Sequence, residues 1–350
     1  ANLSVDPAIG IYLDGVFVGK NVGSAMDVAE LERIEILRGP QGTLYGRNAT
    51  GGAVNFISKK PTGEFGFRAV SALGNYNYRS LKLNVDSSSF GEVGKGLGQI
   101  AFSAGYQTRL RDGFQENDSP GGEDFNNLDR QAWRLAAKWD LTDSFSVDYI
   151  YDRSELDETN ALEQVVGFNS LDAAGNVGRI DTLRGVLAGA QAWANTPGTD
   201  PRISQRWIPS LEKTIEDYQT ASDRGQGRVN RASADNTGTT NNTVEGHGLT
   251  MTWDVGDITF KSITAYREME SYVFGSLEDI DSTLDGNGIG SYNDLLHFTL
   301  GDLYGATNGA STPFYDTVWD SIDSIGAYHS KQDTNNYYDQ FSQELQMAGS

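Results

Sequence analysis

Polar and apolar residues alternate along much of the chain downstream of Pro61. The clearest example is the segment 130–139. There, Trp133, Leu135 and Trp139 share one face of an extended chain, and charged or small residues occupy the other. A period of two residues is typical of a β-strand with a single apolar face. The same alternation recurs along the chain, and the sequence predicts eight strands: 64–74, 78–86, 99–109, 130–139, 145–152, 249–255, 258–269 and 339–347.

The connections between these strands alternate in length. The connections at 141–144 and 256–257 are tight, whereas three others are long: 111–127, 154–245 and 275–336. Short turns on one side and long loops on the other are typical of outer-membrane β-barrels, whose tilted strands need about 9–11 residues to cross. For any one strand the alternative is a half-buried antiparallel sheet of a soluble protein. The eight strands together favour a transmembrane antiparallel β-barrel, a mainly β fold.

The alternation also assigns each side chain to a face of the barrel. We expect apolar residues to face lipid, because a charge at the bilayer midplane costs about 2–4 kcal/mol. The residues expected to point outward are Trp133, Leu135, Trp139, Tyr149, Met251 and Trp253. Those expected to point inward are Arg134, Lys138, Asp148 and Thr252.

The first 62 residues have a different pattern. Residues 11–18 predict a hairpin around an Asp-Gly turn, because Asp-Gly tolerates the positive φ angles of a tight turn. Ser24 can cap a short helix, and two further strands, 34–38 and 53–58, flank a glycine-dense loop. We therefore predict a small mixed α+β unit over 1–62.

Charge separates this unit from the rest of the chain. The formal net charge is −21, yet residues 1–62 contain six acidic and six basic residues. Residues 275–340 contain eleven acidic residues and one basic residue. The sequence thus predicts two domains, 1–62 and 63–350, and the acidic excess argues against nucleic acid as a partner.

Little in the sequence indicates chemistry. The chain has no cysteine, which excludes thiol catalysis, cysteine-ligated metals and disulfides. His247, His297 and His329 are scattered and belong to no recognisable catalytic or metal-binding motif. Residues 279–288 are rich in oxygen ligands, but their spacing departs from that of calcium loops, and we interpret them as an acidic solvated loop. We predict no enzyme activity, no cofactor and no metal site.

Three segments of the N-terminal unit carry a family resemblance. Residues 12–16, 31–46 and 51–61 resemble, in order and spacing, the plug domain of TonB-dependent outer-membrane receptors. A phosphate-binding loop over 39–52 is the alternative, but the Gly-Lys-Ser/Thr ending of such loops is absent. The resemblance to the plug accounts for all three segments together.

The resemblance implies a barrel of about 22 strands, since an eight-stranded barrel has room only for its own side chains. On this interpretation the chain is truncated: residues 1–62 are the C-terminal part of the plug, and residues 63–350 are the N-terminal part of the barrel. About eight of the strands would be present. The box that contacts TonB would lie outside the chain.

The resemblance also implies a function. Members of the family take up scarce ligands across the bacterial outer membrane, energised by the TonB–ExbB–ExbD complex. An iron–siderophore complex is the expected ligand, with outer-membrane lipid as the surrounding partner. A glycan, cobalamin or another metal chelate stays open as the ligand. A passive porin, a surface adhesin or an outer-membrane enzyme stays open as a different class of protein.

The resemblance finally implies which residues join plug and barrel. Arg38 matches a plug arginine that pairs with barrel glutamates, and Glu344 lies on the polar face of its strand as a candidate partner. The alternatives are a solvated turn arginine and a hydrated lumen carboxylate. The plug-motif and plug–barrel contact residues are Arg38, Gly39, Pro40, Gly42, Tyr45, Gly46, Gly51, Gly52 and Asn55.

Overall fold

The computed structural model of the 350-residue chain shows two main β-sheets and a cluster of helices. The residues that it describes are 8–19, 31–42, 49–118, 122–162, 178–224, 227–232, 237–276, 291–325 and 331–349.

The first of these sheets, here called the N-terminal sheet, has four strands in the order β2-β1-β4-β3. Its strands are β1 (Ile9–Leu13), β2 (Val16–Phe17), β3 (Leu31–Arg38) and β4 (Gly52–Ser58). Strand β1 runs parallel to β4, while the β1–β2 and β3–β4 pairs are antiparallel, so the sheet is mixed. Asp14 and Gly15 adopt φ angles of 52° and 86°, which confirms the predicted Asp-Gly hairpin. The helix predicted after Ser24 lies outside the described residues.

The second sheet, here called the large sheet, is antiparallel throughout and follows the order β15-β14-β13-β11-β10-β8-β6-β5, with β7 paired to β8. All eight predicted strands are confirmed. Its strands are β5 (Gly66–Gly74), β6 (Tyr78–Asp86), β7 (Phe90–Glu92), β8 (Lys95–Arg111), β10 (Leu128–Thr142), β11 (Phe145–Thr159), β13 (Thr239–Val255), β14 (Ile258–Ser276) and β15 (Lys331–Gly349). Two short strands, β9 (Glu116–Asn117) and β12 (Arg231–Ala232), pair in parallel.

The two faces of the large sheet differ as the alternation predicts. Leu135 is 53% exposed, and Tyr149 and Trp253 are exposed on the same face. Arg134, the neighbour of Leu135, is only 4% exposed. We call the face of Arg134 the inner face and the face of Leu135 the outer face, since successive residues of a strand point to opposite sides.

The predicted bounds of two long loops are wrong. We expected loops at 154–245 and 275–336, but β11 and β13 stay paired up to Thr159 and Thr239, and β15 begins at Lys331. Beyond residue 153 both faces of β11 carry polar side chains, so the hydrophobic alternation is lost there. The ladder continues because its hydrogen bonds join main-chain groups and need no apolar side chains.

The two long connections also contain helices, which corrects the expectation that 63–350 consists of strands and loops. The helices are α1 (Arg179–Ala194), a π-helical turn (Ile203–Trp207) that leads into α2 (Ile208–Arg224), α3 (Ser291–Thr307) and α4 (Pro313–Ile325). We call them together the helical cluster. They share one apolar core, to which Trp207 and Leu211 come from the first connection and Leu300 and Trp319 from the second.

No helix in the described part of the chain is both long and apolar enough to span a membrane.

Candidate functional site

The N-terminal sheet packs against the inner face of the large sheet, and its hairpin is fastened to the end of β4. The Ser58 amide donates to Asp14 Oδ1 at 2.8 Å, and the Ser58 hydroxyl donates to Asp14 Oδ2 at 2.6 Å. The Asp14 amide in turn donates to the Phe56 carbonyl at 2.9 Å. Ser58 is 1% exposed, so these bonds are sheltered from water. The hairpin turn and the end of β4 therefore form one rigid corner.

This corner is joined to the large sheet by Arg134 on β10. The guanidinium Nη2 donates to Ser58 Oγ at 2.7 Å, so the Ser58 hydroxyl accepts from Arg134 while donating to Asp14. Both bonds involve an ionised group, and such bonds are shorter and stronger than neutral ones. Arg134, Ser58 and Asp14 thus form a buried relay between the two sheets.

Two lysines extend the contact to either side of β10. Lys59 Nζ lies 2.9 Å from Asp86 Oδ2 on β6, and Lys60 Nζ pairs with Asp148 Oδ2 on β11. Both carboxylates are largely buried. Three consecutive residues thus reach three strands of the large sheet, and we call this the Ser58–Lys60 contact.

A second contact joins the hairpin to β14 and β15. Gln340 Nε2 donates to the Phe17 carbonyl at 2.7 Å, and the Gly19 amide donates to Gln340 Oε1 at 3.1 Å. Val16 packs against Ile263 and Ala265 in a small apolar cluster. We call this set the hairpin contact, and the groups named in it are uncharged.

Higher on the inner face, charged side chains of the large sheet pair with one another. Arg267 on β14 makes two hydrogen bonds to Asp152 on β11, at 2.8 and 3.0 Å, across the intervening strand β13. It crosses β13 at Gly246, where a Cβ atom would lie 2.6 Å from Arg267 Nη1. Arg130 makes a similar two-bond pair with Glu158. These four side chains are therefore compensated charges on the inner face.

The two halves of the helical cluster are joined by a buried histidine. His297 of α3 is 0% exposed. Trp207 Nε1 donates to His297 Nδ1 at 3.2 Å, and Thr214 Oγ1 lies 3.1 Å from His297 Nε2. Since Trp207 can only donate, Nδ1 is the acceptor and Nε2 carries the proton. Burial lowers the pKa of His297 to about 4, so the ring is neutral near pH 7.

A second cross-link of the helical cluster centres on Asp200. Tyr304 Oη donates to Asp200 Oδ2 at 2.8 Å, and Trp319 Nε1 donates to Tyr304 Oη at 2.8 Å. Arg202 makes an ion pair with the same carboxylate at 2.7 Å. Burial alone would raise the pKa of Asp200, but the hydrogen bonds from Arg202 and Tyr304 outweigh it and lower the pKa to about 2. Asp200 therefore stays ionised wherever the cluster is folded near neutral pH.

In the described residues, no group of three or more His, Cys, Asp or Glu side chains is arranged to hold a metal ion.

Comparison with known families identifies the N-terminal unit. Residues 4–53 match the family model described as the TonB-dependent Receptor Plug Domain. The N-terminal unit is therefore similar to the plug of TonB-dependent receptors. The N-terminal sheet is accordingly referred to as the plug and the large sheet as the wall. This match indicates a location in the bacterial outer membrane.

Individual relatives are similar over about a fifth of the chain. The catecholate siderophore receptor Fiu of Escherichia coli K12 is 37% identical over 82 residues, which cover 23% of this chain and 10% of Fiu. The metal-pseudopaline receptor CntO of Pseudomonas aeruginosa UCBPP-PA14 is 43% identical over 72 residues, which cover 20% of this chain and 10% of CntO. These matches reach only a small part of each relative.

The wall is similar to a solved receptor in fold. The open-form crystal structure of Fiu from E. coli K12 has a TM-score of 0.55 and 14% identity, and the match covers 99% of this chain and 40% of that one. The similarity at this level of identity concerns the fold alone. The chain spans less than half the length of the Fiu structure.

The two residues predicted to join plug and wall are not in contact. Arg38 ends β3 and is exposed, and its carbonyl accepts a hydrogen bond from Gln41 Nε2 at 3.3 Å. Glu344 on β15 is also exposed and accepts a hydrogen bond from Gln346. In the part of the chain that the structure describes, no ion pair links Arg38 to Glu344.

The remaining predicted residues shape the plug's own turns. Gly39 adopts a φ of 81°, and Gly52 lies where a Cβ atom would meet the Leu37 carbonyl at 2.5 Å. Asn55 is buried and donates to Glu35 at 3.2 Å. Pro40 and Gly42 are exposed, and the Gly51 amide donates to the Ala8 carbonyl at 2.8 Å. Tyr45 and Gly46 lie outside the described residues.

The sequence does not predict which residues join plug and wall. Arg134 and Asp148 were expected to face inward, but no plug partner was assigned to either. The available signal was the run Ser58-Lys59-Lys60 at the end of a buried strand, opposite inward-facing carboxylates. Two lysines at the junction of plug and wall need such partners, because an unpaired charge in a part-buried position is costly.

Proposed function

We propose that this protein takes up an iron–siderophore complex across the bacterial outer membrane. Uptake is energised by the TonB–ExbB–ExbD complex. The observation that carries the proposal is the plug match, on a sheet fastened to the polar inner face of an outer-membrane wall. The printed names of Fiu and CntO, a siderophore receptor and a metal-pseudopaline receptor, support this class of ligand.

The geometry suits gated transport rather than free diffusion. The plug is held to the wall by hydrogen bonds and ion pairs, which water can replace when a force separates the partners. The ligand is moved and not chemically changed, so we propose that the protein is not an enzyme. We also propose that the plug comprises residues 1–62 and the barrel begins at 63, with the long connections on the extracellular side.

Arg38 remains part of the proposed plug–barrel contact, together with the turn residues around it. Its exposed guanidinium at the end of β3 is free to meet a carboxylate on a facing strand. Glu344 is a candidate because it lies on the polar face of β15, the same face as Gln340, which already contacts the hairpin. Gly39 and Gly52 support this arrangement by allowing the tight turns on either side.

The ligand class is tested by growth of a deletion strain, complemented by the native gene, on media limiting in iron, carbon or cobalamin, each supplied with a single source of that nutrient. We expect growth on ferric catecholates and none above background on glycans or cobalamin. Growth restored only by a glycan or cobalamin would overturn the siderophore assignment. Purified protein in liposomes gives a second readout, since a plugged receptor excludes small sugars whereas a passive porin admits them.

A different metal chelate is the second candidate ligand. It is favoured by the 43% identity to CntO, whose name refers to a metal complex that need not be iron. Uptake of radioactive zinc and iron, each supplied with the same chelator, separates the two. Preferential zinc uptake would favour this second candidate.

A further inference from the structure

The two contacts between plug and wall differ in chemistry and reach different strands of the wall. The Ser58–Lys60 contact uses three cationic side chains and reaches β6, β10 and β11. The hairpin contact uses a glutamine amide, main-chain groups and a small apolar cluster, and it reaches β14 and β15. The attachment to β6, β10 and β11 is therefore charged, whereas the groups named in the attachment to β14 and β15 are neutral.

We propose that the plug opens on one side only: the Ser58–Lys60 contact stays closed during transport while the hairpin contact separates. The ligand's path would then run between the edge strand β2 and the strands β14 and β15. This inference rests on the proposed transport function and specifies which surface moves.

Covalent connection favours the Ser58–Lys60 contact as the fixed side. Residues 61–65 lie between Lys60 and the start of β5 at Gly66, so the end of the plug is tied to the wall by a short tether. Even fully extended, five residues span only about 17 Å. Lys59 and Lys60 also point in different directions along this segment and bind strands on either side of β10. Displacing this end of the plug would require breaking its contacts with β6, β10 and β11 at once.

The neutral side is built to separate more easily. One side chain, Gln340, makes both main-chain hydrogen bonds to the hairpin. A neutral hydrogen bond exchanged for bonds to water changes the free energy little, whereas breaking the bond from Arg134 to Ser58 removes a partner from a guanidinium that is only 4% exposed. Among the described strands, β2 is the edge of the plug sheet, in the order β2-β1-β4-β3. It can therefore swing outward about the Asp14–Ser58 corner without breaking a pairing on its free side.

The 350 residues contain no cysteine, which simplifies a cross-linking test. Two double variants of the native gene, Lys60→Cys with Asp148→Cys and Gly19→Cys with Gln340→Cys, are each bridged by a short cleavable bis-thiol reagent. Uptake of radioactive iron from a ferric catecholate is then measured before and after cleavage. Each bridged variant is compared with its own cleaved form, so the effect of the substitutions cancels.

We expect the 60–148 bridge to change uptake by less than about twofold, and the 19–340 bridge to reduce it about tenfold or more, because a bridge blocks only the separation it spans. Cleavage should restore uptake. Loss of uptake with both bridges would mean that the whole plug moves, and unchanged uptake with both would place the path elsewhere. Either result overturns the proposal.

A second measurement keeps the inference testable apart from transport. In sub-denaturing urea, the amides of 16–19 in the purified protein should lose protection from hydrogen–deuterium exchange before those of 54–58. Replacing Lys59 and Lys60 together by Ala should abolish the difference, while Lys95→Ala, which removes an exposed lysine paired with Glu92, should not. Simultaneous release in the wild-type protein would refute the one-sided opening. Ordered release without any iron uptake would leave it standing and reject the transport function instead.

Discussion

Acidification should loosen the helical cluster through His297. The ring is fully buried, and its Nδ1 accepts a hydrogen bond from Trp207 Nε1. A proton added to Nδ1 would therefore make two N–H donors face each other. Burial lowers its pKa from 6.5 to about 4. Because the folded pKa lies below the unfolded one, the stabilisation is complete above pH 6.5 and is lost as the pH falls towards 4.

The size of the effect follows from the shift. A fall from 6.5 to about 4, at 1.36 kcal/mol for each pKa unit, corresponds to about 3 kcal/mol. This is large for a cluster of four helices, since whole domains are stable by only about 5–15 kcal/mol. The Asp200 carboxylate contributes in a separate window, since its pKa of about 2 lies below its ordinary 3.8 and its stabilisation is lost only in stronger acid.

Hydrogen–deuterium exchange of the helices between pH 7.5 and 4.5, corrected for intrinsic exchange rates, measures the effect. We expect protection of α1 to α4 to fall with acid while protection of β10 and β11 changes little. His297→Gln retains a side chain that can accept and donate hydrogen bonds but does not titrate, and it should flatten the pH profile. His247→Gln, on the outer face of β13, is the matched control. An acid response of the same size in His297→Gln would refute this reasoning.

Three further predictions concern the wall and the plug. Arg134→Ala should weaken the attachment of the plug by about 1.5–3 kcal/mol, the value of a lost charged hydrogen bond, and so lower the urea concentration that frees the plug. Arg134→Lys should restore part of this stability. Limited proteolysis of the plug in urea measures the midpoint, and an unchanged midpoint would contradict the prediction. Leu135→Arg should reduce folding yield in detergent far more than Thr252→Arg, because a lipid-facing charge costs about 2–4 kcal/mol; equal yields would contradict the assignment of faces. Arg38→Ala should raise single-channel conductance in planar bilayers while leaving equilibrium ligand binding on cells nearly intact; a collapse of affinity with a closed pore would instead place Arg38 in the ligand site.

The strands of the wall follow from local sequence. In β10, the alternation of Leu135 and Arg134 sets both the period and the faces, because one face is exposed and the other meets the plug. The Asp14-Gly15 turn is equally local, since its positive φ angles are a property of the two residues themselves. The prediction fails where strands leave the apolar zone, as β11 does beyond residue 153.

The helical cluster and the plug–wall contact depend on distant residues. Pro313 at the start of α4, followed by Tyr315, Val318 and Trp319 at helical spacing, was a usable signal for that helix. Some of its partners, however, come from another connection, as the ion pair between Arg202 and Asp316 shows. Arg134 and Ser58 are likewise 76 positions apart, and no local pattern specifies which inward-facing charge meets which plug residue.

The proposed function is tested most directly by the TonB dependence of iron uptake. Initial uptake of radioactive iron from a ferric catecholate would be compared in otherwise identical cells with and without TonB, each carrying or lacking this gene. Energised transport through a plugged receptor predicts uptake that requires both the gene and TonB. Uptake that needs the gene but continues undiminished without TonB would indicate passive passage and contradict the account.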